Sequence, residues 1–298
     1  MKYLVTGGAG FIGSNLVDRL IEDGHEVLVI DDRSTGKLEN INKKAEWYNH
    51  DISHMTDFSM FEGVDVVFHL AAKARVQPSI EDPVNFNRVN VTGLLNVLNA
   101  CVKYKVKRFI YSSSSSVYGD VEQFPTGENT DLNPLSPYAL QKLIGEQYCK
   151  LFSELYHLET VCLRYFNVYG ERQLTEGAYC CVMGIFANQR LNDEPMTIRG
   201  NGEQRRDFTY VGDVVDANIK CMDYPLELNG DVFNIGNGDN RSVNQLADMI
   251  GGDRVNVASV VEPKETLANN GKASFVLGWK PTIKIEDWII KYKEQIGL

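Results

Sequence analysis

Short apolar runs alternate with amphipathic stretches over the first 170 positions of the chain. The apolar runs predict buried strands at Lys2–Thr6, 27–30, 64–70, 108–111 and 160–165. Apolar residues at helical spacing predict intervening helices at Phe11–Glu22, 84–104 and 137–155. Continuous apolar runs are typical of parallel strands that are covered on both faces. The alternation therefore predicts an α/β fold with a doubly wound parallel sheet of the Rossmann type.

The regular alternation ends near residue 170, where Gly, Pro and Asn become more frequent and the predicted elements shorten. Strand-like pieces remain at Met196–Arg199 and 232–235. We therefore expect a first unit at 1–170, to which some later segments return, and a smaller mixed α/β part at 171–298. Ligands of open α/β sheets bind at the carboxyl edge of the strands, so the second part is expected to cover that edge.

Composition narrows the classes of function. The chain has 298 residues, is 43% hydrophobic and 23% charged, and carries a net charge of −10 without a basic block. This argues against nucleic-acid binding. The sequence has no secretory signal and no apolar run long enough to span a bilayer. Six cysteines lack metal-ligand spacing and five histidines form no cluster, so we expect a reduced cytoplasmic protein that binds neither metal nor membrane.

The stretch TGGAGFIG at 6–13 lies between the first predicted strand and the first predicted helix. Its glycines allow a tight turn and close approach of the backbone to a pyrophosphate, while the helix N-terminus offers free N–H groups. The second strand ends in Asp31, whose carboxylate can bind an adenosine ribose diol and would repel a 2′-phosphate. These features predict NAD as cofactor, although Arg33 could pair with such a phosphate.

Tyr138 and Lys142 form a YxxxK motif in SPYALQK. Residues i and i+4 share one helix face, so the ammonium group is expected near the phenol, where its charge would lower the tyrosine pKa. Tyr138 could then act as a base near neutral pH. A chain with 14 tyrosines contains about one such motif by chance. Here the motif gains weight because it follows the serine run 112–116 at the end of a predicted strand.

Together TGGAGFIG, the serine run with VYG, SPYALQK, RYFNVYG and RRDFTYVGDVVDA resemble the extended short-chain dehydrogenase/reductases, and within them the nucleotide-sugar 4-epimerases. The resemblance covers nearly the whole chain, and it implies that 1–170 is the NAD-binding domain and 171–298 mainly the substrate-binding part. It implies that Tyr138 is the acid/base, that Lys142 holds the nicotinamide ribose and tunes the phenol, and that Ser114 binds the sugar's 4-oxygen. Hydride would pass from C4 to bound NAD⁺, the 4-keto sugar would rotate, and hydride would return to its other face.

The resemblance also implies further ligand-binding positions. The cofactor would contact Gly7, Gly10, Phe11, Ile12, Gly13, Asp31, Asp32, Ser34, Thr35, Gly36, Asp51, Ile52, Leu70, Ala71, Ala72, Lys73, Asn90, Tyr138, Lys142 and Phe166. The UDP-sugar would contact Ser114, Tyr138, Asn167, Arg206, Glu262 and Thr266. A guanidinium at 206 suits a pyrophosphate because its fork geometry fits two oxygens; an exposed basic pair is the alternative for Arg205 and Arg206.

Two features favour 4-epimerisation of an N-acetylhexosamine. Related dehydratases and decarboxylases carry acidic residues where this chain has Ser115 and Ser116. Thr266 stands where relatives bound the pocket near the C2 substituent, and a small residue there leaves room for an N-acetyl group. ERQLTEGAYCCV also resembles a stretch of epimerases that act on N-acetylhexosamines. UDP-GlcNAc/UDP-GalNAc is therefore the expected pair, with UDP-Glc/UDP-Gal as a further one.

Some positions depart from the pattern and leave alternatives open. Relatives carry an arginine where this chain has Ser259, so another cation such as Lys264 would have to replace it, and their acidic residue is here Asn269. A UDP-hexuronate 4-epimerase, a 4-keto-sugar reductase or a dehydratase of the same family remain alternatives, as does an inactive dinucleotide sensor. Relatives dimerise through helices that correspond to 84–104 and 137–155, which implies a homodimer.

Overall fold

The computed structural model describes residues 1–175, 177, 180–260 and 262–298. The strands, in chain order, are β1 Lys2–Thr6, β2 Glu26–Ile30, β3 Glu46–Tyr48, β4 Val66–His69, β5 Arg108–Ser114, β6 Glu159–Tyr165, β7 Val168–Tyr169, β8 Met196–Arg199, β9 Arg205–Asp207, β10 Thr209–Tyr210, β11 Asp231–Ile235, β12 Asn240–Ser242 and β13 Arg254–Val257. The helices are α1 Phe11–Glu22, α2 Val76–Glu81, α3 Pro83–Asn87, α4 Leu94–Lys103, α5 Pro137–Tyr156, α6 Val182–Leu191, α7 Val211–Asp223, α8 Val243–Ile250, α9 Gly271–Leu277 and α10 Ile285–Ile296.

Within the described part of the chain, seven strands form one parallel sheet in the order β11-β6-β5-β4-β1-β2-β3. The chain builds outward from β1 through β2 to β3, and then returns to the other side of β1 with β4. The strand order reverses at this point, which opens a crevice beyond the carboxyl ends of the strands. The predicted fold class is thus confirmed, and β11 brings a late segment back to the main sheet.

Both faces of the sheet are covered, as the continuous apolar strands predicted. Side chains alternate between the faces: Tyr3 and Val5 of β1 lie in one buried cluster with residues of α1 and α7, whereas Leu4 lies in the other with residues of α4 and α5. Each fully buried large apolar side chain contributes about 1.5–3 kcal/mol. The two clusters fix the strand ends, and therefore the loops that leave them.

The serine run continues a strand, contrary to the prediction that the strand ends at residue 111. β5 extends to Ser114, and its last three residues pair with Leu163–Tyr165 of β6. Serine has a low intrinsic strand propensity, but the neighbouring strand supplies hydrogen-bond partners that override it. Ser112 and Ser113 are buried. A short 3-10 turn, Ser115–Tyr118, then leaves the sheet edge.

The predicted helix at 84–104 is interrupted in its middle. After α3 the backbone passes through a π-helical stretch, Arg88–Gly93, before α4 begins. The stretch points the buried Asn90 towards the loop after β4: its side chain accepts from the Lys73 N–H at 2.8 Å and donates to the Lys73 carbonyl at 2.9 Å. Such π-helical turns occur often beside functional sites.

The later part of the chain forms a smaller layer with its own core. β8 pairs with β13, β9 with β12 and β7 with β10, and α6, α8 and α10 pack around Met183, Leu246 and Trp288. The predicted strand at Met196–Arg199 is confirmed as β8. The division at residue 170 stays a prediction. Within the described ranges, no helix is long and apolar enough to cross a membrane.

Candidate active site

A cleft of about 600 Å³ runs along the carboxyl ends of the main sheet. The glycine loop after β1 lines one end, the serine run and the first turns of α5 line the middle, and the segment around Glu262 and Thr266 lines the other end. The predicted site residues therefore meet in one cavity, with three exceptions. Gly36, Asn90 and Phe166 lie behind the lining and contact it through other residues.

The glycine loop is shaped so that side chains do not fit. Gly7 has φ +75°, and a Cβ on it would lie 2.7 Å from the Ala71 nitrogen. A Cβ on Gly13 would lie 2.2 Å from the Gly7 carbonyl oxygen. Gly10 precedes α1 without a side-chain cap, so the first N–H groups of a 12-residue helix are free for an anion.

Asp31 stands at the end of β2 as predicted. Its carboxylate accepts the N–H groups of Ala9 at 2.9 Å and Arg33 at 2.7 Å, which ties the glycine loop to the strand edge. Burial raises the pKa of Asp31, although these two hydrogen bonds lower it. The neighbouring predicted residues also line the cleft at this end: Asp32, Ser34 and Thr35.

Asp51 and Ile52 line the same end of the cleft. Burial raises the pKa of Asp51, but hydrogen bonds from Arg88, Ser53 and His54 outweigh it, so the pKa lies well below its ordinary value. The Arg88 guanidinium donates to Asp51 at 2.8 Å. The Asp51 carboxyl group therefore stays ionised, and its hydrogen bonds hold it in one orientation.

Ser114, Tyr138 and Lys142 meet in the middle of the cleft. Ser136 caps α5 by accepting from the Ala139 N–H at 3.2 Å, which places Tyr138 in the first turn and Lys142 one turn later. The Lys142 Nζ donates to the Ser112 carbonyl at 2.6 Å and lies 6.0 Å from the centre of the Tyr138 ring. The Ser114 hydroxyl is hydrogen-bonded to the Tyr138 phenol.

The pKa of Tyr138 in the protein alone differs in direction from the prediction. Burial raises it, and this effect outweighs the lowering by the Ser114 hydrogen bond and the Arg75 charge. Burial also lowers the pKa of Lys142 to about 8, because the ammonium group is almost completely removed from water. At neutral pH Tyr138 is therefore a phenol beside a charged Lys142.

A buried polar network supports this cluster from behind, and the sequence analysis missed it. Glu146, one turn after Lys142, accepts the Ser113 hydroxyl and both sides of the Arg164 guanidinium at 2.8 and 2.7 Å. Arg164 also donates to Tyr118 at 2.8 Å. The available signal was an arginine within the apolar strand 160–165. The network joins α5 to β5 and β6, and so holds the helix that carries Tyr138 and Lys142.

His69 at the end of β4 also escaped notice. It is buried, shares a 3.0 Å hydrogen bond with the Thr6 hydroxyl and stacks on Tyr111. Burial, and secondarily the charge of Lys142, lowers its pKa to about 3, so the imidazole is neutral at physiological pH. It packs beneath the cleft as a polar part of the core.

The residues predicted for substrate come together at the far end of the cleft. Asn167, held at φ +23°, donates to the Asp207 carbonyl and to the Thr266 hydroxyl, both at 3.1 Å. Arg206 is buried and forms a 2.6 Å ion pair with Glu262. Asp207 anchors this end: burial raises the pKa of its carboxyl to about 7, and three backbone N–H groups, among them that of Ala268, donate to it.

Several lining residues were not predicted. Arg75, Arg172, Arg199, Cys180 and Cys181 all line the cleft. Arg75 has φ +94°, a conformation that bulky residues rarely adopt and that tends to occur at functional sites. The stretch ERQLTEGAYCCV supported the prediction of the sugar, and its residues at 176, 178 and 179 lie outside the described residues. Phe166 is buried against Val117, Tyr118 and Ala268, so any effect on a bound ring would be indirect.

The chain resembles known proteins over its whole length. A sequence profile of the NAD dependent epimerase/dehydratase family matches residues 3–236. A UDP-glucose 4-epimerase of Mycolicibacterium smegmatis is 36% identical over 312 residues, which cover 99% of this chain and 98% of that protein.

Two solved structures share the fold and differ in ligand. A UDP-N-acetylglucosamine 4-epimerase of Methanobrevibacter ruminantium, in complex with UDP-N-acetylmuramic acid, has a TM-score of 0.92 at 35% identity and covers 99% of this chain and 97% of its own. A UDP-glucuronic acid 4-epimerase of Bacillus cereus, with UDP-glucuronic acid and NAD, has a TM-score of 0.91 at 33% identity and covers 100% and 99%. The similar proteins therefore include enzymes of three different UDP-sugars.

Proposed function

The chain belongs to the NAD dependent epimerase/dehydratase family, and from that premise we propose that it is a UDP-sugar 4-epimerase that interconverts UDP-GlcNAc and UDP-GalNAc. The observation that carries the proposal is the placing of Ser114, Tyr138 and Lys142 in one cleft, between a dinucleotide-type glycine loop and the pair Asn167 and Arg206. Each group has a role in moving one proton at C4 of a sugar.

The residues at the glycine-loop end fit NAD. Gly7 and Gly13 leave a cradle that a Cβ would fill, the uncapped N-terminus of α1 faces it, and Asp31 offers a carboxylate to a ribose diol. When bound, NAD⁺ supplies an acceptor for hydride from C4 and returns it. The carboxylate of Asp31 would repel a 2′-phosphate, which supports NAD over NADP.

The proton path starts at Ser114 and Tyr138. A sugar 4-hydroxyl that bonds to both can pass its proton to the phenol oxygen, and the 4-keto group can receive it back from the same oxygen. Because burial raises the pKa of Tyr138, the phenolate needs cations nearby. Lys142 supplies one, and its bond to the Ser112 carbonyl fixes the ammonium group in position.

The turn after Ser114 favours epimerisation over dehydration. Ser115 and Ser116 both line the cleft, so the first two side chains after Ser114 are hydroxyls. Elimination across C5–C6 requires an additional acid and base, and unperturbed hydroxyls do not supply a carboxyl pair at neutral pH.

The choice of sugar rests on Thr266. Its hydroxyl is tied to Asn167 and to the Asp207 N–H, both at 3.1 Å, so a small side chain faces the cleft at the position that would meet the C2 substituent. We expect this to leave room for an N-acetyl group, with UDP-Glc/UDP-Gal accepted as a further pair. A UDP-hexuronate is the second candidate, since Arg75 lines the cleft close enough for its charge to lower the pKa of Tyr138.

The proposal extends to a homodimer. The neighbouring helices α2, α3 and α5 expose five large apolar side chains: Ile80, Val84, Leu140, Leu151 and Leu155. Val84 is 80% exposed, and apolar groups left in water in this number are typical of an interface. We propose that two copies of the chain dimerise through these helices, and that the dimer lies in the cytoplasm.

The function is tested with purified protein and no added NAD. We expect denaturation to release NAD, and the native enzyme to convert UDP-GlcNAc into UDP-GalNAc. Tyr138→Phe should reduce turnover by about 10²-fold or more, the usual contribution of general acid–base catalysis. Tyr156→Phe is the matched control, since Tyr156 lies at the exposed end of the same helix. Absence of any epimerised UDP-sugar, or full activity of Tyr138→Phe, would refute the proposal.

A further inference from the structure

In the described part of the chain, the buried charges at the substrate end of the cleft cancel each other. Its buried guanidinium, Arg206, is already paired with Glu262 at 2.6 Å. The pair is electrically neutral, whereas the diphosphate of a UDP-sugar brings two negative charges. Bringing these charges into a half-enclosed cleft requires a compensating cation.

Arg199 is an unengaged cation at this end. It is the last residue of β8, is exposed and lines the cleft. Its guanidinium has no hydrogen-bond or ion-pair partner among the residues that the structure describes. Arg172, another lining arginine, differs because Asp18 holds it at 2.5 Å.

Backbone contacts place Arg199 beside the neutral pair. The side-chain amide nitrogen of Gln204 donates to the Arg199 carbonyl at 3.0 Å and to the Glu262 carboxylate at 3.3 Å. One nitrogen therefore holds the backbone of Arg199 and the partner of Arg206 together. Arg199 also lines the same cavity as this pair.

The register of β8 and β13 relates Arg199 to Ser259. Arg199 is paired with Val257, and a Cβ on the next residue, Gly200, would lie 3.5 Å from the Cβ of Ser259. The residue that follows Arg199 therefore lies beside Ser259. We propose that Arg199 binds the diphosphate of the nucleotide-sugar, and that a guanidinium at 259 would reach the same group.

This inference rests on the proposed function, and its test separates the two. The holoenzyme is titrated with UDP and with uridine by calorimetry, for the wild type, Arg199→Gln and Arg254→Gln. Arg254 is the matched control, because it is an exposed arginine at the other end of the same two-stranded sheet. Arg199→Gln should weaken UDP binding about 10- to 100-fold, the range for a charged hydrogen bond, and leave uridine binding unchanged.

The outcomes distinguish the explanations. A wild type that binds neither UDP nor a UDP-sugar refutes the proposed function itself. If the wild type binds UDP and Arg199→Gln binds it equally well, Arg199 is only a solvated surface residue. An equal loss for UDP and uridine would assign Arg199 to the base and overturn the diphosphate contact.

A second substitution tests whether a guanidinium at 259 can replace the one removed from 199. Ser259→Arg in the Arg199→Gln background should recover at least part of the lost affinity for UDP, because Ser259 lies beside Gly200, the residue that follows position 199. Affinity that stays at the level of Arg199→Gln would contradict the claim that the two positions serve the same group.

Discussion

Replacing Glu146 by Gln should destabilise the protein far more than removal of a surface charge. The change conserves shape but removes the negative partner of Arg164, whose side chain is 3% exposed beside a Glu146 that is 6% exposed. Both carboxylate oxygens of Glu146 accept hydrogen bonds from the Arg164 guanidinium. In the Gln variant one of these oxygens becomes an NH₂ group, which would face an N–H donor of Arg164. Breaking a buried pair in this way costs about 3–5 kcal/mol.

The measurement is urea unfolding of the wild type, Glu146→Gln and Asp248→Asn. Asp248 pairs with Arg254 at 2.8 Å at the surface, with side chains that are 62% and 43% exposed, and an exposed pair contributes about 0–1 kcal/mol. Each substitution turns the carboxylate partner of an arginine into an amide. The first pair is buried and the second is exposed.

Removal of both charges should cost less than removal of one. Glu146→Met with Arg164→Met leaves no unpaired charge, so the double variant should be more stable than Glu146→Gln. The account of the network would be refuted if Glu146→Gln cost less than about 1 kcal/mol, the value for an exposed pair.

Three further predictions concern the site. Turnover should fall above about pH 8, because the pKa of Lys142 is lowered to about 8 and the amine is charged only below that value; a kcat profile that stays flat to pH 10 would contradict this. Gly13→Ala should lose the retained nucleotide, since the new Cβ would lie 2.2 Å from the Gly7 carbonyl oxygen, whereas Gly127→Ala, with open space around it, should keep it; nucleotide released on denaturation is the measure. Thr266→Tyr should reduce kcat/KM for UDP-GlcNAc roughly 10- to 100-fold and spare UDP-Glc, because the larger side chain fills the space for the N-acetyl group; an equal effect on both sugars would exclude Thr266 as the selecting residue.

Periodicity was enough to predict the parallel sheet, because buried strands and amphipathic helices have different spacing. It was wrong about the end of β5, since the strand pairing with β6 extends through Ser114 and is a tertiary effect. The π-helical turn at Asn90 is likewise absent from the spacing, because contacts with Lys73 and Gln141 accompany it.

The candidate site was predicted in large part through motifs and resemblance. Positions in the glycine loop and on α5 follow from local sequence, and they line the cleft. Glu146 was missed because a charged residue on a helix usually faces water, and the sequence does not show which one points inward. Its partner Arg164 lies on strand β6, and the apolar run around it does not show that it pairs with Glu146. Arg199 was missed for a related reason: its place beside Glu262 depends on residues more than 50 positions away.

The central claim is that the protein moves hydride at C4 of a UDP-sugar by means of Tyr138, Ser114 and Lys142. It is tested most directly with UDP-GlcNAc that carries deuterium at C4, incubated in ordinary water with the purified enzyme and no added cofactor. The account predicts UDP-GalNAc that retains the deuterium at C4. Product in which the deuterium has been exchanged for solvent hydrogen, or no epimerised product from this or any other UDP-hexose, would contradict it.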